Sequence, residues 1–196
     1  MKFFEKPGPE MSDRTPPGQF LTKGFPVLTY GPTPPVDKQT WQLRVWGSAT
    51  PVTLGWDDMM ALPQSEFTQD FHCVTRWSKL DVTWRGVKVT DVMERLEIEP
   101  SATHVMLHCY GDYTTNLALD DFVREENFFA HELSGEPLPP DHGGPMRVVV
   151  PHLYAWKSAK WINGLEFLDE EALGFWERNG YHRRGDPWKE ERYAGR

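Results

Sequence analysis

The sequence predicts a single α+β domain, rich in β-strand, with short helices between many turns. Three observations carry that expectation. Seventeen Pro and sixteen Gly punctuate 196 residues, a density that interrupts long helices. Apolar residues make up 39% of the chain, and nine Trp with eleven Phe supply bulky side chains that need packing partners, which argues against disorder throughout. Short apolar alternations recur, as in Trp41-Gln-Leu-Arg-Val-Trp46. The length suits one substantial core and is too small for two ordinary domains.

Taken in order, residues 1–24 are polar, Pro-rich and without period, and read as an extended N-terminal arm. Residues 25–196 then form the domain. The alternation at 41–46 marks a first strand. Leu54-Gly-Trp-Asp-Asp-Met-Met-Ala-Leu-Pro63 reads as a short helix, with Asp57 and Asp58 in its first turn and Pro63 ending it. Residues 65–76 are extended and lead into Cys73. Val89, Val92, Met93 and Leu96 keep helical spacing over 89–97. Residues 103–110 and 113–117 read as strands of a hairpin around Gly111-Asp112. The run 133–144 is a loop by composition, 147–150 a short strand stopped by Pro151, and 160–167 another strand. From 174 onward, aromatic residues alternate with charge and show no helical period.

The formal net charge of -8 argues against nucleic acid as a partner. An anionic ligand would need a local positive site. No stretch approaches the roughly 20 apolar residues that span a bilayer, and no secretory signal is visible, so a cytoplasmic location is the expectation. Cys73 and Cys109 are the two cysteines. In a reducing compartment both are expected as thiols, with a single Cys73–Cys109 bridge as the alternative.

Two regions carry chemistry. The first is Asp70-Phe-His-Cys-Val-Thr-Arg-Trp-Ser78, where a cysteine between Phe71 and Val74 is ordinarily an inert core residue. His72 and Arg76 beside it would favour the thiolate, the form that binds metals. The second is Asp141-His-Gly-Gly-Pro-Met-Arg-Val-Val-Val-Pro151, continuing as His152-Leu-Tyr-Ala-Trp-Lys-Ser-Ala-Lys160. Its glycines would let backbone N–H groups approach an anion. Arg147 offers a planar fork for phosphate, and Lys157 and Lys160 add charge. A loop whose charges face solvent is the competing reading.

Together, Cys73-Val-Thr-Arg-Trp-Ser78 and Gly143-Gly-Pro-Met-Arg-Val-Val-Val-Pro-His-Leu-Tyr-Ala-Trp-Lys-Ser-Ala-Lys-Trp-Ile162 resemble the molybdopterin-binding domain of the sulfite-oxidase family. They are most similar to small bacterial members related to the periplasmic methionine sulfoxide reductase catalytic subunit. The likeness runs from about Phe25 to Tyr193 and includes the stretches Cys109–Leu119 and Gly174–Trp188. It implies a sulfite-oxidase-type fold with mixed sheets and a cleft for a molybdenum–molybdopterin cofactor. It also implies that Cys73 binds molybdenum through its thiolate, and that His142, Arg147, Ser158, Ala159 and Lys160 hold the pterin and its phosphate. Cys109 would line the cofactor site, and Thr29-Tyr30-Gly31 would supply N-terminal pterin contacts. Two-electron oxygen-atom transfer on a small-molecule substrate follows, with Arg76 steering that substrate and a separate carrier exchanging electrons. Sulfite oxidases carry further arginine at the metal segment. The lone Arg76 here, followed by Trp77, departs from that pattern, and both a sulfite-like and a sulfoxide-like substrate stay open.

The rival from another class is a non-catalytic protein that keeps the fold and binds pterin or a partner. A zinc site at His104, His108 and Cys109 is a third reading. On a strand, 104 and 108 lie about 13 Å apart at roughly 3.3 Å per residue, too far for one ion. No Gly-x-Ser-x-Gly elbow supports a hydrolase. Asp120-Asp121 and Asp169-Glu-Glu171 read as helix starts or solvated surface, and the aromatics of Gly174–His182 as core seals.

Overall fold

A computed structural model describes residues 4–5 and 13–195. Residues 1–3 and 6–12 of the expected arm, and residue 196, lie outside the described residues. The elements in order are β1 (Phe4–Glu5), β2 (Phe20–Thr22), β3 (Gln42–Gly47), β4 (Val52–Gly55), α1 (Trp56–Met60), β5 (Ser65–His72) and β6 (Trp77–Lys88). There follow α2 (Val89–Met93), β7 (His104–Cys109), β8 (Thr114–Ala118), α3 (Leu119–Phe122), β9 (Phe128–Leu133), β10 (Glu136–Pro137), β11 (Arg147–Val149), β12 (Ile162–Leu168) and α4 (Phe175–Arg178).

The strands form two mixed sheets. One runs β1-β2-β6-β9-β10, with β5 paired to β6 and β11 to β9; the other runs β4-β3-β12-β7-β8. In each sheet one pairing is parallel, β2 with β6 and β3 with β12, and the rest are antiparallel. The α+β, β-rich expectation holds.

The main core fills between the second sheet and β11, with Leu43, Leu107, Val148, Ile162 and Leu165 fully buried. A second cluster, around Phe71, Trp77, Trp84 and Phe128, lies under the turn that joins β5 to β6. Phe67 stacks on Phe128 with ring centroids 4.1 Å apart. Gly86 is needed where β6 crosses β9, because a Cβ there would stand 1.9 Å from the Phe129 carbonyl oxygen. Aromatic bulk and close backbone approach together fix the position of that turn.

The short helix after β4, the hairpin of β7 and β8, and the strands β11 and β12 lie where the sequence put them. The helix expected over 89–97 is shorter. Regular α-structure stops at Met93, and tighter turns carry the chain to Leu96, whose N–H reaches the Met93 carbonyl at 3.0 Å. The expected loop 133–144 contains β10 and a 3-10 turn at Pro140–His142. The described part of the arm is docked: β2 pairs with β6, Gln19 is buried, and Arg14 bonds Asp70 and Asp81. Asp120 and Asp121 do start a helix, α3, although Asp121 is held by Arg184 and His152 and is not solvated.

Candidate active site

A cavity of about 300 Å3 opens where the β5–β6 turn, segment 25–30, the 142–161 region and the C-terminal segment meet. Cys73 and Arg147 both line it, and no carboxylate does among the described residues. Its chemistry therefore rests on one thiol, two basic side chains and a ring of aromatic side chains.

Cys73 closes β5 and starts the turn. Its N–H bonds the Trp77 carbonyl at 2.9 Å, and its own carbonyl accepts from the Arg76 N–H at 3.0 Å. Arg76 takes a left-handed φ of 75° to complete this turn. Cys73 is 7% exposed and unpaired, and its sulfur accepts a hydrogen bond from Thr75 Oγ1 at 3.1 Å. Burial pushes the thiol pKa up. Thr75 opposes that shift, and Arg192 does so more weakly through its charge. The cations expected to favour the thiolate are differently placed. His72 is buried against Ser78 Oγ at 2.8 Å, and burial lowers its pKa to about 4, so it is neutral. Arg76 is absent from the cavity lining, and its guanidinium lies toward Gly18. The steering role expected of Arg76 is thus not supported by its placement.

Arg147 begins β11 and is 2% exposed. It donates to the carbonyls of His142 and Ser158, each at 2.8 Å, and among the described residues it has no carboxylate partner. Burial lowers its pKa to about 9, which still leaves it charged at neutral pH. Lys160 Nζ donates to the carbonyls of Asp141 at 2.6 Å and Leu28 at 3.0 Å. Burial first, and Arg147 second, lower its pKa to about 7. Two desolvated cations facing an acid-free space are costly alone, and an anion there would relieve the cost.

The glycines contribute differently than expected. The N–H groups of Gly143 and Gly144 are used within the turn, on the carbonyls of Pro140 and Pro139. Gly143 instead allows close packing: with φ 109°, a Cβ there would meet Lys160 Cβ at 3.0 Å and Arg147 Cβ at 3.1 Å. It keeps the two cations together.

The other expected residues divide. His142, Thr29 and Tyr30 line the cavity, with His142 beside the Phe25 ring at 4.6 Å and Tyr30 against Phe175 at 4.0 Å. Ser158 lines it too, although its hydroxyl accepts from the Val150 N–H and its carbonyl holds Arg147. Gly31, Ala159 and Cys109 are not among the lining residues, and the last two pack in the main core. Burial drives the Cys109 thiol pKa far up. Lys157, counted with the cations of this run, is fully buried in a 2.6 Å pair with Glu177. His104 bonds Thr103 and His108 bonds Glu166, and no three metal-ligating side chains converge among the described residues. Trp176 and Tyr181, expected as core seals, line the cavity with Tyr113 and Trp156. Thr75 was missed, although it lies two residues from the cysteine.

The cavity sets a free thiol beside two buried basic side chains, a donor set that fits an anionic cofactor with a thiolate-binding metal. The chain belongs to the oxidoreductase molybdopterin binding domain family, which residues 30–176 match. It is 48% identical to the oxidoreductase YuiH of Bacillus subtilis (strain 168), over 94% of each chain. Against the mitochondrial sulfite oxidase of Drosophila melanogaster it is 28% identical, over 83% of this chain and 34% of that one. Against the protein-methionine-sulfoxide reductase catalytic subunit MsrP of Ralstonia nicotianae it is 29% identical, over 69% of this chain and 46% of that one. The chain thus spans nearly all of the Bacillus relative and about a third of the sulfite oxidase. The crystal structure of the sulfane dehydrogenase SoxCD from Paracoccus pantotrophus superposes with a TM-score of 0.66 at 17% identity, covering 76% of this chain and 42% of that one, and shows the shared fold. The protein is a molybdopterin-dependent oxidoreductase, and its cofactor is molybdenum–molybdopterin.

Proposed function

We propose that this enzyme catalyses two-electron oxygen-atom transfer on a small, uncharged sulfoxide-like substrate, exchanging electrons with a separate carrier. The observation that carries it is the acid-free cavity shared by Cys73, Arg147 and Lys160. Cys73 would hold the metal through Sγ, and Arg147, Lys160 and His142 would hold the anionic tail of the pterin. When bound, the cofactor supplies the oxygen-atom transfer and the two-electron change. The chain's own work is to orient. Thr75 Oγ1 directs a hydrogen bond at the Cys73 sulfur, and Arg147 locks the Ser158 and His142 backbone through its fork. Tyr113, Trp156, Trp176 and Tyr181 present an aromatic wall to the site.

The same wall supports an uncharged oxide over sulfite. Arg147 and Lys160 are engaged in the cofactor cradle, and Arg76 lies outside it, so among the described residues no spare positive charge faces a substrate dianion. We also propose a reducing, cytoplasmic setting, which two buried and unpaired thiols suit.

Protein made in a molybdenum-competent host should carry stoichiometric metal by elemental analysis, and Cys73→Ser should lose the metal, the activity or both. A dye-coupled screen should find turnover on sulfoxides and little on sulfite. Full metal occupancy with no turnover on any oxide would return the non-catalytic reading.

A further inference from the structure

The structure assigns Gln19 and Arg192, from opposite ends of the chain, as positioning residues that fix the turn carrying Cys73. Four carbonyl oxygens of that turn, those of Cys73, Val74, Arg76 and Trp77, are each captured from outside the turn. Gln19 Nε2 donates to the carbonyls of Cys73 and Trp77, both at 3.0 Å, with Ser78 Oγ at 3.3 Å beside them. The backbone N–H of Phe20 donates to the Arg76 carbonyl at 2.8 Å. Arg192 donates from Nη1 to the Val74 carbonyl at 2.7 Å.

The two side chains are also joined to each other. Arg192 Nη2 donates to Gln19 Oε1 at 3.0 Å and reaches the Pro17 carbonyl at 3.3 Å. Below it, the Tyr154 ring lies 4.9 Å from the guanidinium carbon, and Glu190 pairs with it at 3.6 Å. Gln19 is 4% exposed and Arg192 is 6% exposed, so water offers little competition for these bonds. A turn with its carbonyls held from behind has little freedom to swing its sulfur. Arg76 already sits at positive φ, which such a frame must hold in place.

This inference rests on the reading that Cys73 is the metal's protein ligand, and its test has an arm that does not need the metal. In metal-free protein, deuterium labelling of the backbone amides of the 73–77 turn (Cys73 labelling) is followed by peptide mass spectrometry, with the amides of the strand ending at Cys109 (Cys109 labelling) as internal reference. Gln19→Glu keeps the shape and the Arg192 contact while losing the donors, and Arg192→Gln loses the fork. Each should speed Cys73 labelling roughly tenfold, the equivalent of one net hydrogen bond, with Cys109 unchanged. Arg192→Lys, which reaches fewer carbonyls, should fall between wild type and Arg192→Gln. Arg14→Ala cuts the exposed arm pairs to Asp70 and Asp81 without touching the turn carbonyls, and should label as wild type does.

In holoprotein, Gln19→Glu and Arg192→Gln should shift or broaden the thiolate-to-metal absorption band, and Arg14→Ala should leave it in place. Unchanged Cys73 labelling in both clamp variants overturns the assignment. So does an equal rise at Cys109, or the same rise in Arg14→Ala, since either would report general loosening. Wild-type protein that binds no molybdenum would sink the proposed function while leaving the labelling comparison intact.

Discussion

Because burial and the neighbouring Arg147 outweigh the opposing charge of Asp141, the Lys160 pKa is lowered to about 7 while the cradle holds no anion. An anion favours the charged lysine, so above that pH binding must take up a proton. Affinity for sulfate, whose own charge is constant over this range, should therefore fall as pH rises from 7 to 9, by at most about tenfold per pH unit. Isothermal calorimetry on metal-free protein checks this, and Lys160→Met should flatten the slope. At this scale the sequence was partly readable. Cys73, Arg147 and Lys160 stand in short local runs whose residue types announce their chemistry. Gln19 and Arg192 do not, because their partners are backbone carbonyls 54 and 118 residues away, which no side-chain pattern encodes.

Among the elements, β8, α4 and the 3-10 turn Ala155–Lys157 are joined by one buried ion pair. Glu177 Oε1 accepts from Lys157 Nζ at 2.6 Å, from Trp156 Nε1 at 3.0 Å and from Thr115 Oγ1 at 2.9 Å. The pair thereby sets the orientation of Trp156 in the cavity wall. Lys157→Met would leave the Glu177 charge buried and uncompensated, and should cost about 3–5 kcal/mol in urea unfolding. Lys157→Met combined with Glu177→Leu should recover much of the loss. Which elements were legible follows from burial. Strands β3, β7 and β12 bury alternate positions or carry long apolar runs. Strand β9 is buried on both faces along Phe128–His131, so it shows no alternation, and nothing local marks it as a strand. Strand β6 was hidden by shifts of register at Arg85/Gly86 and opposite Gln69/Phe71, and by Asp81 at φ 54°.

For the whole molecule, Asp121 is the main electrostatic tie between α3 and the C-terminal segment. Burial alone would raise its pKa, yet hydrogen bonds from His152 and Arg184 outweigh burial and hold it well below the usual carboxylate range. The sign follows directly. A carboxylate with a depressed folded pKa stabilises the protein above the ordinary value of 3.8, and that contribution is lost as pH falls toward the folded value. Asp121→Asn should cost about 3 kcal/mol at pH 7 in urea unfolding, and the deficit relative to wild type should shrink by pH 3.

The parallel pairing of β3 with β12 sets residue 44 beside residue 164, in the middle of the second sheet. During synthesis, β3 must wait on the ribosome for a neighbour that emerges well over a hundred residues later. Contacts of such long sequence separation form slowly. Until β12 arrives, the β4–β3 and β7–β8 pairs have no strand to join them, and the apolar faces of the sheet's two halves wait uncovered.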